Sequence, residues 1–539
     1  MKLMKHAFCG LVSAAVMAVT CGVYFGAAVK ADVAEPVEFQ LHAHTFDFGE
    51  AVNRVTFQLD GVVPESLDPD SFRITASASL PEGITGDEVN SGVYQDVERA
   101  VERICVTGDT VELALHCGLD VAGEGTLSFA SPVIQRNMDL ELTYTIEQAE
   151  DIVIDGETIK AGTLSFVQSG SWNNPETEAF KSGQIDGMSY YYYVPENADD
   201  GTLHPMVLWL HGLGEGGYEG VESTTSGLRA NRAAVCFAQE DAQQIFGGAF
   251  VLAPQAPTSW IEDLFTEDYE QTLLNIVDQM VNEYPVDPSR IYICGASAGG
   301  YAAVWMAINH PDRWAAVVPV CPGITSGVSE AYGSVIPSDE ELLILKDLPI
   351  WTIHTAADTT ALIDEAGRRL NQVLGDSGIY SEYGTVNLDG VDYDGHWSWL
   401  YLENNIPEFE GEHIWNWMAR QQRADSSTAN GPTEIRRRVY TLENAMNTPI
   451  TELYVYQSKG ENLVPSGLQP GEQIDAEVFG HWLHTPDETL YTVEFVSDGE
   501  TYSFRTLHVE DLFEILYLKG AQEMDGVSGA TPVAFAKAE

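Results

Sequence analysis

The chain has 539 residues, 82 of them acidic and 26 basic, for a formal net charge of −56 at pH 7. That length predicts about three domains. The charge excludes nucleic acid and anionic membrane surfaces as partners, because both are polyanions that such a surface repels.

Residues 1–31 read as an export signal, which predicts a secreted or extracytoplasmic protein. Lys2 and Lys5 make a basic start, Leu11 to Val29 is apolar and small, and Val29-Lys30-Ala31 offers a small-residue cleavage site. An uncleaved anchor, or a lipid on Cys21, is the alternative. No later stretch is long and apolar enough to span a bilayer. Past the signal the chain keeps Cys105, Cys117, Cys236, Cys294 and Cys321, an odd number, so at least one thiol is free. Cys105 and Cys117 flank a hairpin turn and are the candidates for a bridge. Cys294 and Cys321 read as small core residues.

Residues 32–160 form the first predicted domain. Short alternating runs such as Val37-Leu41, Arg54-Leu59, Phe72-Ala76, Val111-Leu115 and Leu140-Ile146 are broken by Gly, Pro, Asp and Asn. Strands at this spacing predict a β-sandwich. Nothing in the stretch points to chemistry; its expected role is to dock on the next domain or shape its entrance.

Residues 161–424 change pattern. Strands alternate with helices, which predicts a mostly parallel sheet. Met206-Leu210 and Phe250-Ala253 are unbroken apolar strands of the kind buried on both faces. Tyr269 to Tyr284 is an amphipathic helix. Arg290 to Tyr301 reads RIYICGASAGGY: a strand, the sharp turn Gly295-Ala296-Ser297-Ala298-Gly299, then a helix. This is a nucleophile elbow, and Ser297 is the expected nucleophile.

A serine nucleophile needs a base, an acid and oxyanion donors. On such a sheet acid and base follow the serine in that order. His396, in the loop Tyr393-Asp394-Gly395-His396-Trp397, is the expected base. Asp358, just past the strand ending at His354, is the expected acid; Asp364, Glu365 and Asp394 are the alternatives. The oxyanion donors are expected at the amides of Ala298 and of Gly212 and Leu213 in the loop His211-Gly212-Leu213-Gly214-Glu215-Gly216-Gly217. Trp260, Trp397 and Trp399 are expected to border the pocket, where indoles can stack on an aryl or sugar group. No metal or cofactor is required.

Taken together, Leu210-His211-Gly212, Ala253-Pro254-Gln255 with Trp260, Val286-Asp287, the Gly295–Tyr301 turn, His310-Pro311-Asp312-Arg313-Trp314 and Gly395-His396-Trp397-Ser398-Trp399 resemble a known family. It is the secreted α/β-hydrolase carboxylesterase and feruloyl esterase group, also labelled "predicted peptidase" and similar to polyhydroxybutyrate depolymerases. The resemblance covers Met188 to Arg423. It implies a Ser297-Asp358-His396 triad, ester substrates of the feruloyl, acetyl or other carbohydrate-linked kind, and an immunoglobulin-like module in front. One departure is His354-Thr355-Ala356-Ala357-Asp358, where the family more often has His-Gly-x-x-Asp. The rivals are a peptidase of the same fold and, in another class, a surface- or carbohydrate-binding protein.

A polar linker is expected at 425–434 and a small α+β domain of unknown role at 435–539, with a helix over Val509-Leu518. Asp525-Gly526-Val527-Ser528-Gly529-Ala530-Thr531 is similar to the motif at which extracytoplasmic domains carry flavin mononucleotide on threonine. A polar C-terminal turn is the plainer reading.

Overall fold

The computed structural model describes residues 35–61, 63, 67–81, 93–129, 135–217, 225–423, 435–456, 462–481, 490–508, 515–518 and 536–537. The export signal, the 425–434 linker and Thr531 lie outside the described residues. Within them, no helix is long and apolar enough to cross a membrane.

The front domain is two sheets face to face. One has five strands in the order Phe166–Asn173, Val37–Phe46, Gly49–Gln58, Thr110–Leu115, Val101–Thr107; the other has three, Tyr94–Arg99, Phe72–Ser79, Glu141–Gln148. Alternate residues point inward, as the pleat requires. Phe39, Leu41, Val55, Phe57, Phe72, Ile74, Val111 and Leu113 thus meet in one apolar core. The front sheet reaches past residue 160, because Phe166–Asn173 pairs in parallel with Val37–Phe46. Cys105 and Cys117 are both free thiols. Cys105 faces Glu112 across the ladder, and Cys117 lies beyond the strand, where its thiol donates to the Val52 carbonyl at 3.5 Å.

The central domain carries an eight-stranded sheet in the order Lys181–Ile185, Met188–Tyr193, Phe250–Gln255, His204–Leu210, Val286–Ala296, Ala316–Val320, Ile350–Thr355, Gly378–Tyr383. Met188–Tyr193 is antiparallel to both its neighbours, and the remaining pairs are parallel. Every residue of His204–Leu210, Phe250–Gln255 and Ile350–Thr355 is buried. The strand period of two explains how. Met206, Leu208, Leu210, Ile291 and Ile293 feed the core on one face, and Val207, Trp209, Tyr292 and Cys294 the core on the other. Each such side chain contributes roughly 1.5–3 kcal/mol of burial.

The described residues beyond 434 form two further sheets around a small core of Leu442, Ile450, Leu453, Val493, Phe495 and Leu518. The expected helix over Val509-Leu518 is corrected at its described end. Ile515–Leu518 is a strand, parallel to Ile435–Asn444. Four apolar residues in a row suit either state, and here an open sheet edge decides between them. Among the described residues of this part the regular elements are all strands.

Candidate active site

The strand Val286–Ala296 runs directly into the helix Ala298–Asn309, with Ser297 between them at φ 54° and ψ −113°. That left-handed, strained backbone lifts the hydroxyl off the sheet. Only glycine fits at two neighbouring positions. A Cβ on Gly295 would stand 2.3 Å from the Gly299 carbonyl oxygen, and one on Gly299 would stand 1.9 Å from that of Leu210.

His396 Nε2 lies 2.9 Å from Ser297 Oγ, and His396 Nδ1 lies 2.8 Å from Asp358 Oδ2. Asp358 sits just past the end of the strand Ile350–Thr355. Its Oδ1 accepts the Thr360 and Ala361 amides at 2.8 and 2.9 Å. Its Oδ2 also faces His354 Nε2 at 3.0 Å. The Gly367 amide donates to His354 Nδ1 at 3.3 Å. That places the His354 proton on Nε2, where it donates to Asp358 and to the Ala361 carbonyl. Burial disfavours the Asp358 charge, but the two imidazoles and the amides outweigh it and hold the carboxyl well below its usual range. An ionised Asp358 keeps a proton on His396 Nδ1 and leaves Nε2 to accept from the serine. Burial lowers the His396 pKa; the Cys321 sulfur and the Asp358 carboxylate reverse this, and the imidazole sits above its ordinary value.

The strand His204–Leu210 leads into a single 3-10 turn, Leu213–Glu215, beside Ser297. The amides of Leu213 and Ala298 each open a helical turn, so neither has an acceptor within it. The Gly212 amide precedes the Leu213 turn, and a Cβ on Gly212 would stand 3.9 Å from the Cβ of Ser297, so Gly212, Leu213 and Ala298 all border the position of the oxyanion.

A cavity of about 890 Å³ opens over Ser297 and His396, walled on one side by Leu213, Trp397 and Trp399 and on the other by Phe48, Phe129 and Asn137 of the front domain. The two domains are bound together around it. Arg136 donates to the Gly217 carbonyl at 3.1 Å and pairs with Glu262 at 3.0 Å. Arg229 pairs with the buried Glu50 at 2.6 Å.

Residues 260–326 match the prolyl oligopeptidase family, peptidase S9. A poly(3-hydroxybutyrate) depolymerase of Ralstonia pickettii is 26% identical over 184 residues, 31% of this chain and 36% of that protein. The S-formylglutathione hydrolase of Mus musculus is 27% identical over 178 residues, 28% of this chain and 59% of that one. This chain thus spans about a third to three fifths of the length of those two relatives. The crystal structure of a thermostable esterase shares the fold over 72% of this chain and 100% of its own, with a TM-score of 0.57 at 24% identity. The central domain has the α/β-hydrolase fold, and its residues 260–326 carry the similarity to peptidase S9.

In this α/β-hydrolase, Ser297, Asp358, His396, Leu213, Ala298, Trp397 and Trp399 come together as the sequence led one to expect. Trp260 does not. It is fully buried, with its ring 5.0 Å from that of His211 and 6.1 Å from that of Tyr269, beneath the oxyanion loop rather than in the pocket. Its neighbour Ile261 takes the lining position. Trp399 stands edge-on to the His396 ring at 5.5 Å, and Trp397 stacks on Trp399 at 6.1 Å.

Three residues of the site were not foreseen. His354 orients the acid. Cys321, expected as plain core, sits at φ 35° and donates its thiol to the His396 carbonyl at 3.3 Å, which fixes the loop bearing the base. Glu215 packs its carboxylate against Gly212 and bonds Asn137 of the front domain. A histidine four residues before the acid was the one visible hint. The donor atoms of Cys321, Asp358 and His396 lie within 4.8 Å of one another. Both ring nitrogens of His396 are already engaged, so the cluster serves as the relay itself.

Proposed function

We propose that this chain is an exported serine esterase. The observation that carries the reading is the unbroken line Ser297 Oγ, His396, Asp358 at 2.9 and 2.8 Å, set at the strained turn of an α/β-hydrolase. Ser297 attacks the ester carbonyl while His396 Nε2 takes its proton. The Leu213 and Ala298 amides receive the oxyanion. His396, now protonated, delivers the proton to the departing alcohol, and an acyl-enzyme remains. Water, deprotonated by the same imidazole, releases the acid.

The substrate class is proposed as carboxylic esters with a bulky partner, carbohydrate-linked feruloyl or acetyl groups among them. The indoles of Trp397 and Trp399 favour a planar or sugar ring near the reacting carbon. Export rests on the basic and apolar pattern of residues 1–31. The front domain is proposed to be an immunoglobulin-like module, a reading supported by its two packed sheets. A peptidase is the second reading, favoured by the match of residues 260–326 to the prolyl oligopeptidase family. The triad serves both, and the leaving group decides.

Labelling with a fluorophosphonate probe, beside a Ser297→Ala variant and with p-nitrophenyl acetate turnover in parallel, tests the proposal. Labelling and turnover that both vanish in the variant support it. A folded wild type that neither labels nor turns over sinks it. A panel of aryl esters, acetylated sugars and short peptides then separates esterase from peptidase.

A further inference from the structure

We propose that Glu215 is a positioning residue of the oxyanion loop, held in place by Asn137 of the front domain, so that contact between the domains sets the rate of the chemical step. The inference rests on the serine hydrolase reading above.

The main chain of Glu215 is clamped from two sides. Its carbonyl accepts the Ser226 hydroxyl at 2.7 Å and the side-chain amide of Gln255. Its side chain then folds back over its own turn. Oε1 accepts Asn137 Nδ2 at 3.2 Å, and the nearby Gly212 and Glu215 amides favour the charged form of the carboxyl. The other oxygen, Oε2, lies 2.9 Å from where a Cβ on Gly212 would be, so the carboxylate packs directly against that residue. Gly212 itself abuts the nucleophile: that same Cβ position is 3.9 Å from the Cβ of Ser297. Packing the carboxylate against Gly212 orients the next peptide, whose N–H is the Leu213 donor.

The other end of the chain of contacts is equally fixed. Asn137 opens the strand Asn137–Asp139, which pairs with Leu127–Phe129. On one side Arg136 is bonded to Gly217 and Glu262. On the other, Asp139 pairs with Arg229. A carboxylate in this cavity also needs a reason to be there. Burial pushes its carboxyl up to about 7, against the nearby amides, Arg136 and His396, which favour the charged form.

The test uses the full chain with Glu215→Ala, Glu215→Gln, Asn137→Ala and the Glu215→Ala/Asn137→Ala double variant. Steady-state constants on p-nitrophenyl acetate and thermal midpoints are measured for each. Loss of one oxyanion donor typically costs about 10²–10³ in kcat, so a misaligned donor in Glu215→Ala is expected to cost roughly ten- to a hundredfold, with KM within about twofold. Glu215→Gln, which keeps one acceptor, recovers part of the rate. Asn137→Ala gives a smaller loss, and the double variant is no worse than Glu215→Ala, because the two side chains act through one bond. The inference is overturned if Glu215→Ala keeps kcat within about twofold. Losses that multiply in the double variant, or that follow the thermal midpoints, overturn it too. A wild type without Ser297-dependent turnover fails the serine hydrolase reading itself, and this inference with it.

Discussion

Two imidazoles converge on one carboxylate oxygen of Asp358, and only one of them can leave. His396 must swing and titrate during turnover; His354, fully buried, stays. Replacing His354 with Ala should therefore release the acid rather than the base. The expected loss in kcat is on the order of a hundredfold, the cost of a small misplacement in a constellation of this kind. Steady-state kinetics on a soluble ester checks it, and an unchanged kcat would show that the amides of Thr360 and Ala361 suffice. The pH profile follows from His396. The base works only when neutral, and its pKa is raised above 6.5. The kcat/KM of the wild type should thus fall as pH drops through a midpoint above that value. Asp358→Asn should move the midpoint down and cut kcat by about 10⁴, because the wrong tautomer is then held. A wild-type midpoint below 6.5 would contradict the coupling. Glu403 carries the opposite lesson. Both its oxygens are buried without a hydrogen-bond partner. Burial, then the charge of Asp47, pushes its carboxyl well above 4.5. The folded state therefore holds a proton that the unfolded state has lost, and stability falls as pH rises from about 4.5 toward the folded pKa. Glu403→Gln should raise the thermal midpoint by a few degrees at pH 8 and by nothing below pH 4, measured by calorimetry. The triad could be read from the sequence because elbow, acid and base follow a fixed order along the chain. Cys321 and Glu215 could not, since their roles exist only once distant loops meet; His354 left only its spacing to the acid as a hint.

At the scale of elements, the central strands were legible because burial on both faces leaves unbroken apolar runs such as Met206-Leu210 and Phe250-Ala253. The elbow was legible because its glycines have no substitute. Gly299→Ala would push a methyl to within 1.9 Å of the Leu210 carbonyl oxygen. Backbone cannot yield there without parting the strands His204–Leu210 and Val286–Ala296, which pair along Met206 to Leu210. The expected cost is about 3 kcal/mol or more, the upper end for overpacking, read as a drop in the denaturant midpoint; a loss under about 1 kcal/mol would mean the turn is softer than its geometry. Where an element serves the site, periodicity alone misleads. A helix over Leu362-Leu374 fits the apolar spacing, yet the observed helix is Gly367–Leu374. The preceding residues are pulled into a tight wrap around Asp358, whose carboxylate takes the amides of Thr360 and Ala361.

Across the whole molecule, the front domain closes the cavity, and a buried ion pair helps to hold it there. Arg229 sits over the Trp172 ring at 5.2 Å. It reaches Glu50 at 2.6 Å and the Thr126 hydroxyl at 3.0 Å, and it also pairs with Asp139. Glu50 in turn accepts Trp172 Nε1 at 3.1 Å. No sequence pattern announces this pairing, because 179 residues separate Glu50 from Arg229 and neither lies in a motif. Burying a charge pair is not in itself stabilising, but removing one partner strands the other away from water at a cost of about 3–5 kcal/mol. Glu50→Ala should therefore lower the thermal midpoint. It should also lower kcat, since Glu50 itself lines the cavity and its strand carries the wall opposite Trp397 and Trp399. The double replacement Glu50→Leu/Arg229→Met leaves no orphan charge and should recover most of the midpoint. If it recovers stability but not turnover, the polar network acts by aligning the two domains around Ser297. If both return together, apolar contact alone is enough to seat the front domain, and the ion pair is one of several ways to fill that space.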